Sequence, residues 1–240
     1  MISEKTFIRY YSSFWEQLLP GVDHYVRMIN SGLKERVYSP LTIEDIPTRR
    51  AIINGIAFKL FNQINSGSFN LNDLDNLSCQ SSLLLELQKE TANQMAFLNN
   101  STSFKQEINQ NELLIIIALS KRLNDFSESK SDFKVYPKFQ GCGLLFNCAG
   151  DIKYSKTLVE IKAGIGNFSR HDIFQLITYG SLNYISDTQY DFENFQLLNI
   201  RTGVQWIENI ETVCEIIGGA SSAEIYSEVV NYISNNYRSI

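Results

Sequence analysis

Along the first half of the chain, apolar residues recur at helical spacing. In IRYYSSFWEQLL they stand at 8, 11, 14, 15, 18 and 19, so residues 4–31 are expected to be mostly helical. A second helix is expected to start at Thr48 or a neighbour and to run through RRAIINGIAFKLFNQI. SLLLELQKETANQMAFLNN (82–100) and NELLIIIALSKRLNDF (111–126) predict two more, the second of them buried. Ser66 to Ser81, rich in Ser, Asn and Asp, reads as a loop. SESKSD (127–132) is the clearest break in composition, and beyond it the period changes.

KVYPKFQ, GLLFN, TLVEIKAG, FQLLNI and VQWI read as strands, with Gly150-Asp151 at a turn or strand start and Arg201-Thr202-Gly203 as a hairpin turn. SRHDIFQLITYGSLNYI is expected to be a helix opened by a capping box of Ser169 and Asp172. SSAEIYSEVVNYISNNY closes the chain as an amphipathic helix. The expected class is α/β: a mixed central sheet flanked by helices, preceded by a helical N-terminal region. The expected division is a helical region over 1–104, for partner docking or dimerisation, and an α/β domain over 105–240.

Within TLVEIKAG, alternation places Leu158, Glu160 and Lys162 on one face of an apolar strand. An acid two residues before a lysine is weak evidence by itself, because Glu128/Lys130, Asp132/Lys134 and Asp151/Lys153 repeat the spacing. Only Glu160/Lys162 lies inside an apolar strand. Asp151 stands nine residues upstream, where a neighbouring strand begins. Two carboxylates brought together repel, and a fold that builds such a pair usually offers it a cation. Oxygen ligands from Asp151, Glu160 and the Ile161 carbonyl suit Mg²⁺ or Mn²⁺, which would polarise a phosphate oxygen and acidify a water. Lys162 could then orient or deprotonate that water, or offset charge on phosphorus. His171, Gln175 and Tyr179, spaced four apart, form one polar stripe of the following helix, with Arg170 and Asp172 at its first turn.

The pattern Gly150-Asp151, Glu160-Ile161-Lys162 and Gln175-Leu-Ile-Thr-Tyr179 resembles the PD-(D/E)xK phosphodiesterase superfamily, the restriction-endonuclease-like fold, in its RecB-like branch. The resemblance covers roughly 135–205, with the helix at 111–126 as the preceding core helix. It implies metal ligation by Asp151 and Glu160, catalysis by Lys162, and substrate positioning by Gln175 and Tyr179, with Arg170 a candidate phosphate contact. It also implies cleavage of DNA (RNA being the alternative), and a place in bacterial anti-phage or DNA-processing systems. The spacing from Asp151 to Glu160 is short for the family and implies a tight hairpin over IKYSKT. Glu112 is the only candidate for an additional acid on the preceding helix.

Composition adjusts this picture modestly. The net charge is −5, with the acidic excess concentrated over 206–240, where five Asp/Glu face one Lys/Arg. Strong autonomous binding of a polyanion is therefore not expected. No GxxxxGK[ST] loop occurs, so an ATPase or SMC-like partner, or a second copy of the chain, is the expected companion. A non-catalytic assembly or nucleic-acid-binding subunit is the alternative, disfavoured by the intact Asp151, Glu160 and Lys162. Cys79, Cys142, Cys148 and Cys214 are scattered, and with only His24 and His171 beside them they match no zinc spacing. With no membrane span and no signal peptide recognised, a cytoplasmic location is expected.

Overall fold

A computed structural model of the chain describes residues 1–96 and 106–236. Its helices are α1 (Glu4–Tyr10), α2 (Ser12–Leu18), α3 (Val22–Met28), α4 (Arg50–Asn65), α5 (Ser82–Ala96), α6 (Gln110–Glu128), α7 (Arg170–Tyr184), α8 (Ile210–Gly218) and α9 (Ser222–Asn235). Its strands are β1 (Glu35–Arg36), β2 (Lys134–Val135), β3 (Lys138–Phe139), β4 (Cys148–Ala149), β5 (Ile152–Tyr154), β6 (Thr157–Lys162), β7 (Asn194–Asn199) and β8 (Val204–Asn209). The chain divides into two compact units, one of residues 1–38, 131–199 and 203–240, the other of 39–130 and 200–202.

The first unit is α/β. Its mixed six-stranded sheet has the order β1-β8-β7-β6-β5-β2, and a separate pair joins β3 to β4. β5 and β6 form a tight antiparallel hairpin turning at Ser155, whose φ of 44° is left-handed. α7 then carries the chain over so that β7 runs parallel to β6, and β8 returns antiparallel. The return needs Gly203: its φ is 73°, and a Cβ there would collide with the Tyr38 carbonyl. The pleat puts Leu158, Phe195, Leu197 and Trp206 on one face, in one core with Ile173, Phe174 and Ile177 of α7. Ile152, Val159 and Leu198, on the other face, are buried as well. Burial on both faces explains why Leu158 and Val159, consecutive in β6, are both apolar. Trp15 of α2 stacks on Phe174 at 4.6 Å, so the N-terminal helices share this core.

The second unit is helical. α4 packs against both α5 and α6, and the Ser120 hydroxyl donates to the Ala57 carbonyl at 2.9 Å where α6 meets α4. Arg49 and Glu112 form a buried ion pair at 2.7 Å.

Four expectations need correction. Residues 1–38 belong with the sheet rather than with a separate region ending at 104, because Phe7, Trp15 and Tyr25 fill the sheet unit's core. The helix expected over 111–126, α6, is grouped with α4 in the helical unit and not with the domain expected over 105–240. GLLFN is no strand. Gly143 takes a left-handed φ of 50°, and the backbone of 144–146 bonds to Ile2 and Ile233 in place of a ladder. KVYPKFQ is split between two sheets, because Tyr136 is left-handed and Pro137 has no N–H to donate. The ends expected for the helices over 82–100 and 221–237 lie outside the described residues.

Candidate active site

The site is assembled where β5 begins beside the C-terminal half of β6. Gly150 and Asp151 precede β5, and the Asp151 carboxylate turns across the hairpin to accept the Ile161 N–H at 2.8 Å. This bond pins Asp151 to the strand that carries Glu160. Glu160 is 5% exposed, and its Oε2 is buried with no hydrogen-bond partner. Burying a carboxylate oxygen without a partner is strongly unfavourable, so the arrangement asks for a proton or a cation. Burial raises the Glu160 pKa from its ordinary 4.5 to about 8, and the neighbouring Asp151 charge adds to the rise. Asp151 is raised too, by burial, against the opposing pull of the Ile161 N–H and of the Lys162 and Lys5 charges. The two carboxyls thus behave as a pair that holds a proton at neutral pH.

Lys162 lies on the same strand face and is more open. Its ammonium approaches Glu160 Oε1 at 3.2 Å, Gln175 Oε1 at 3.3 Å and Asp172 Oδ1 at 2.7 Å. Burial works to lower its pKa, but Glu160, Asp172 and Asp151 outweigh that and raise it. Lys162 is therefore a fixed cation here, which favours orienting and charge-offsetting roles over proton removal.

α7 supplies the far wall, and its register explains how. Asp172 does two things: its Oδ2 accepts the Ser169 N–H at 2.7 Å, closing the expected helix cap, while its Oδ1 holds Lys162. One turn on, Gln175 accepts from Lys162 and donates through Nε2 to the Tyr179 hydroxyl at 2.9 Å. Tyr179 is itself buried and stacked on Phe139 at 5.1 Å, its phenol held protonated by burial and by the Glu160 charge. Gln175 and Tyr179 thus form a buried relay that fixes Lys162.

The structure brings together Asp151, Glu160, Ile161, Lys162, Gln175 and Tyr179 of the expected set. Ile161 contributes its N–H in the contacts seen. Arg170 does not join; it faces Glu16 and Asp23 at 3.5 and 3.4 Å. His171, the outer member of the stripe, is exposed, with its ring edge-on to Phe174. Glu112 is committed to Arg49 in the helical unit. Two neighbours escaped sequence reasoning. Asp172 looked fully explained as a cap. Lys5 carried no signal at all, being an exposed lysine far away in sequence, yet its charge acts on both carboxyls.

Among the described residues, no group of three or more His, Cys, Asp or Glu converges as a metal cage. Two carboxylates with one orphaned oxygen still fit Mg²⁺ or Mn²⁺, which use one or two carboxylates and fill their remaining positions with water or phosphate. No family model and no curated protein matches this chain. Among the described residues, no helix is long and apolar enough to cross a membrane.

Proposed function

We propose that this chain is a Mg²⁺- or Mn²⁺-dependent nuclease that hydrolyses phosphodiester bonds, with DNA as its substrate. The observation that carries the reading is the buried, unpartnered Glu160 Oε2 beside Asp151, with the Lys162 ammonium held against the same carboxylate. The succession of antiparallel hairpin, crossover helix and parallel strand, with these residues on β6 and just before β5, supports a restriction-endonuclease-like core.

Asp151 and Glu160 would hold the cation, which when bound supplies Lewis-acid polarisation of the phosphate. Lys162 places a permanent positive charge where negative charge builds on the phosphoryl oxygens. Gln175 fixes Lys162 by accepting from it, and Tyr179 fixes Gln175, so both act as positioning residues. The hairpin bond from Ile161 N–H to Asp151 holds the two carboxylates in register across the strands. The anti-phage setting and the ATPase or SMC-like partner rest on the family resemblance alone.

The test is cleavage of plasmid and single-stranded DNA, with RNA alongside, in Mg²⁺ or Mn²⁺. Wild type and Lys162→Ala are purified identically. Metal-dependent cutting by wild type, lost in the variant, is expected. Equal cutting by both would refute this site. If neither cuts, Mn²⁺ titration of wild type against Glu160→Gln decides whether the carboxylates bind metal at all, and absence of binding would overturn the reading.

A further inference from the structure

The first helix carries two cations on one side. Lys5 and Arg9 are spaced i, i+4, so they stand one above the other on α1, about 5–6 Å apart at Cβ. Both are exposed, and among the described residues neither makes an ion pair or hydrogen bond. Lys5 occupies the second position of the helix, where the macrodipole disfavours a cation, next to the acidic Glu4.

Its location is well determined. Ile2 donates its N–H to the Leu144 carbonyl at 2.8 Å and accepts from Phe146 N–H at 3.0 Å, which ties the start of α1 to the segment leading into β4 and Asp151. Phe7 buries the opposite side of α1 and Ile8 its flank, and the helix packs along α7. Lys5 accordingly lies near enough for its charge to act on Asp151 and Glu160. Arg9, one turn further, acts on His171 at the first turn of α7. The nearest acids on α2 and α3, Glu16 and Asp23, are already engaged by Arg170.

We propose that the Lys5–Arg9 face of α1 is a phosphate track that holds a DNA strand as it enters the Asp151–Glu160–Lys162 site. Consecutive phosphates would meet Lys5 next to the carboxylates and Arg9 beyond it. The charge is sequence-independent, so the track positions a backbone without reading bases. This proposal deepens the nuclease reading and rests on it for the location of the reacting phosphate.

The experiment is fluorescence-anisotropy binding of a labelled single-stranded oligonucleotide in EDTA, from 50 to 200 mM salt. Wild type is compared with Lys5→Gln/Arg9→Gln and with the charge-keeping Lys5→Arg/Arg9→Lys. Each cation lost should reduce the slope of log K against log salt by about 0.7, so the double Gln variant should lose about 1.4. The charge-keeping variant should retain the wild-type slope. Unchanged binding in the Gln variant would overturn the track, as would no binding by wild type. Cleavage is scored separately: cutting with an unchanged slope leaves the nuclease and removes the track. A changed slope with neither cutting nor Mn²⁺ binding at Glu160 keeps the track and removes the nuclease.

Discussion

Two buried glutamates in this chain have opposite fates. Glu112, in the helical unit, faces Arg49: Oε1 accepts from Nε at 2.7 Å, and Oε2 accepts from the guanidinium at 3.0 Å and from Asn109 N–H at 3.1 Å. Burial alone would raise its pKa, but Arg49 and the Asn109 N–H overcome that and lower it. Glu160, in the sheet unit, is equally buried, yet one oxygen has no partner and a second carboxylate stands beside it. Its pKa rises to about 8. Burial is common to both. What separates the two is whether the charged form is fully satisfied by the chain itself.

The comparison can be broken most forcefully at Arg49. Arg49→Ala strands the Glu112 charge, and a loss of roughly 3–5 kcal/mol is expected in urea unfolding. A loss under 1 kcal/mol would mean that the pair is not the structural element described. Lys162→Ala sharpens the other side. It should lower the cleavage rate by roughly 10²–10³-fold, the effect of removing one charge-stabilising donor. Its unfolding midpoint should move far less than that of Arg49→Ala. Gln175→Ala removes only the group that fixes Lys162, and a fall in turnover of about tenfold is expected, in line with losing one hydrogen bond to a charged group. Unaltered turnover would show that Lys162 needs no positioning.

The two glutamates also differ in the sign of their pH dependence. Unfolded, Glu160 releases its proton near 4.5; folded and metal-free, it holds it to about 8. The native state therefore binds more protons between these values, and Glu160 makes the metal-free protein less stable as pH rises from 5 to 8. Glu112 runs the other way: its contribution is present above its unfolded value and is lost as pH falls through its lowered folded one. Thermal melts of wild type and Glu160→Gln should diverge towards pH 8, with the variant the more stable. Parallel curves would show that Glu160 is not carrying the proton. Mn²⁺ should reverse the order by stabilising wild type alone, and more at pH 8 than at pH 6, because the cation displaces that proton.

Much of the local structure was legible in the residues. The alternation of TLVEIK placed Glu160 and Lys162 on one face, and the structure brings them to 3.2 Å. Ser169 and Asp172 marked the start of α7, and Arg201-Thr202-Gly203 marked a hairpin. GLLFN misled because three consecutive apolar residues have no distinguishing period. Leu144 and Leu145 are buried but Phe146 is exposed, and Gly143 turns the chain so that Ile2 and Ile233 satisfy its backbone. Glu112 was the only candidate for an additional acid, and the Arg49 partner that engages it lies 63 residues away.

The sequence by itself determined the periodic elements and the face on which each side chain stands. Those follow from steric and hydrogen-bonding rules that act over a few residues. Tertiary structure alone decided which charges meet: that Asp151 is bonded across to Ile161, that Lys162 is held by Asp172, and that Arg170 turns away to Glu16 and Asp23. It also drew residues 1–38 into the sheet unit. Such meetings depend on how buried surfaces close over one another across the whole chain. Charges that are ordinary one by one acquire their chemistry only when that closure removes the water between them.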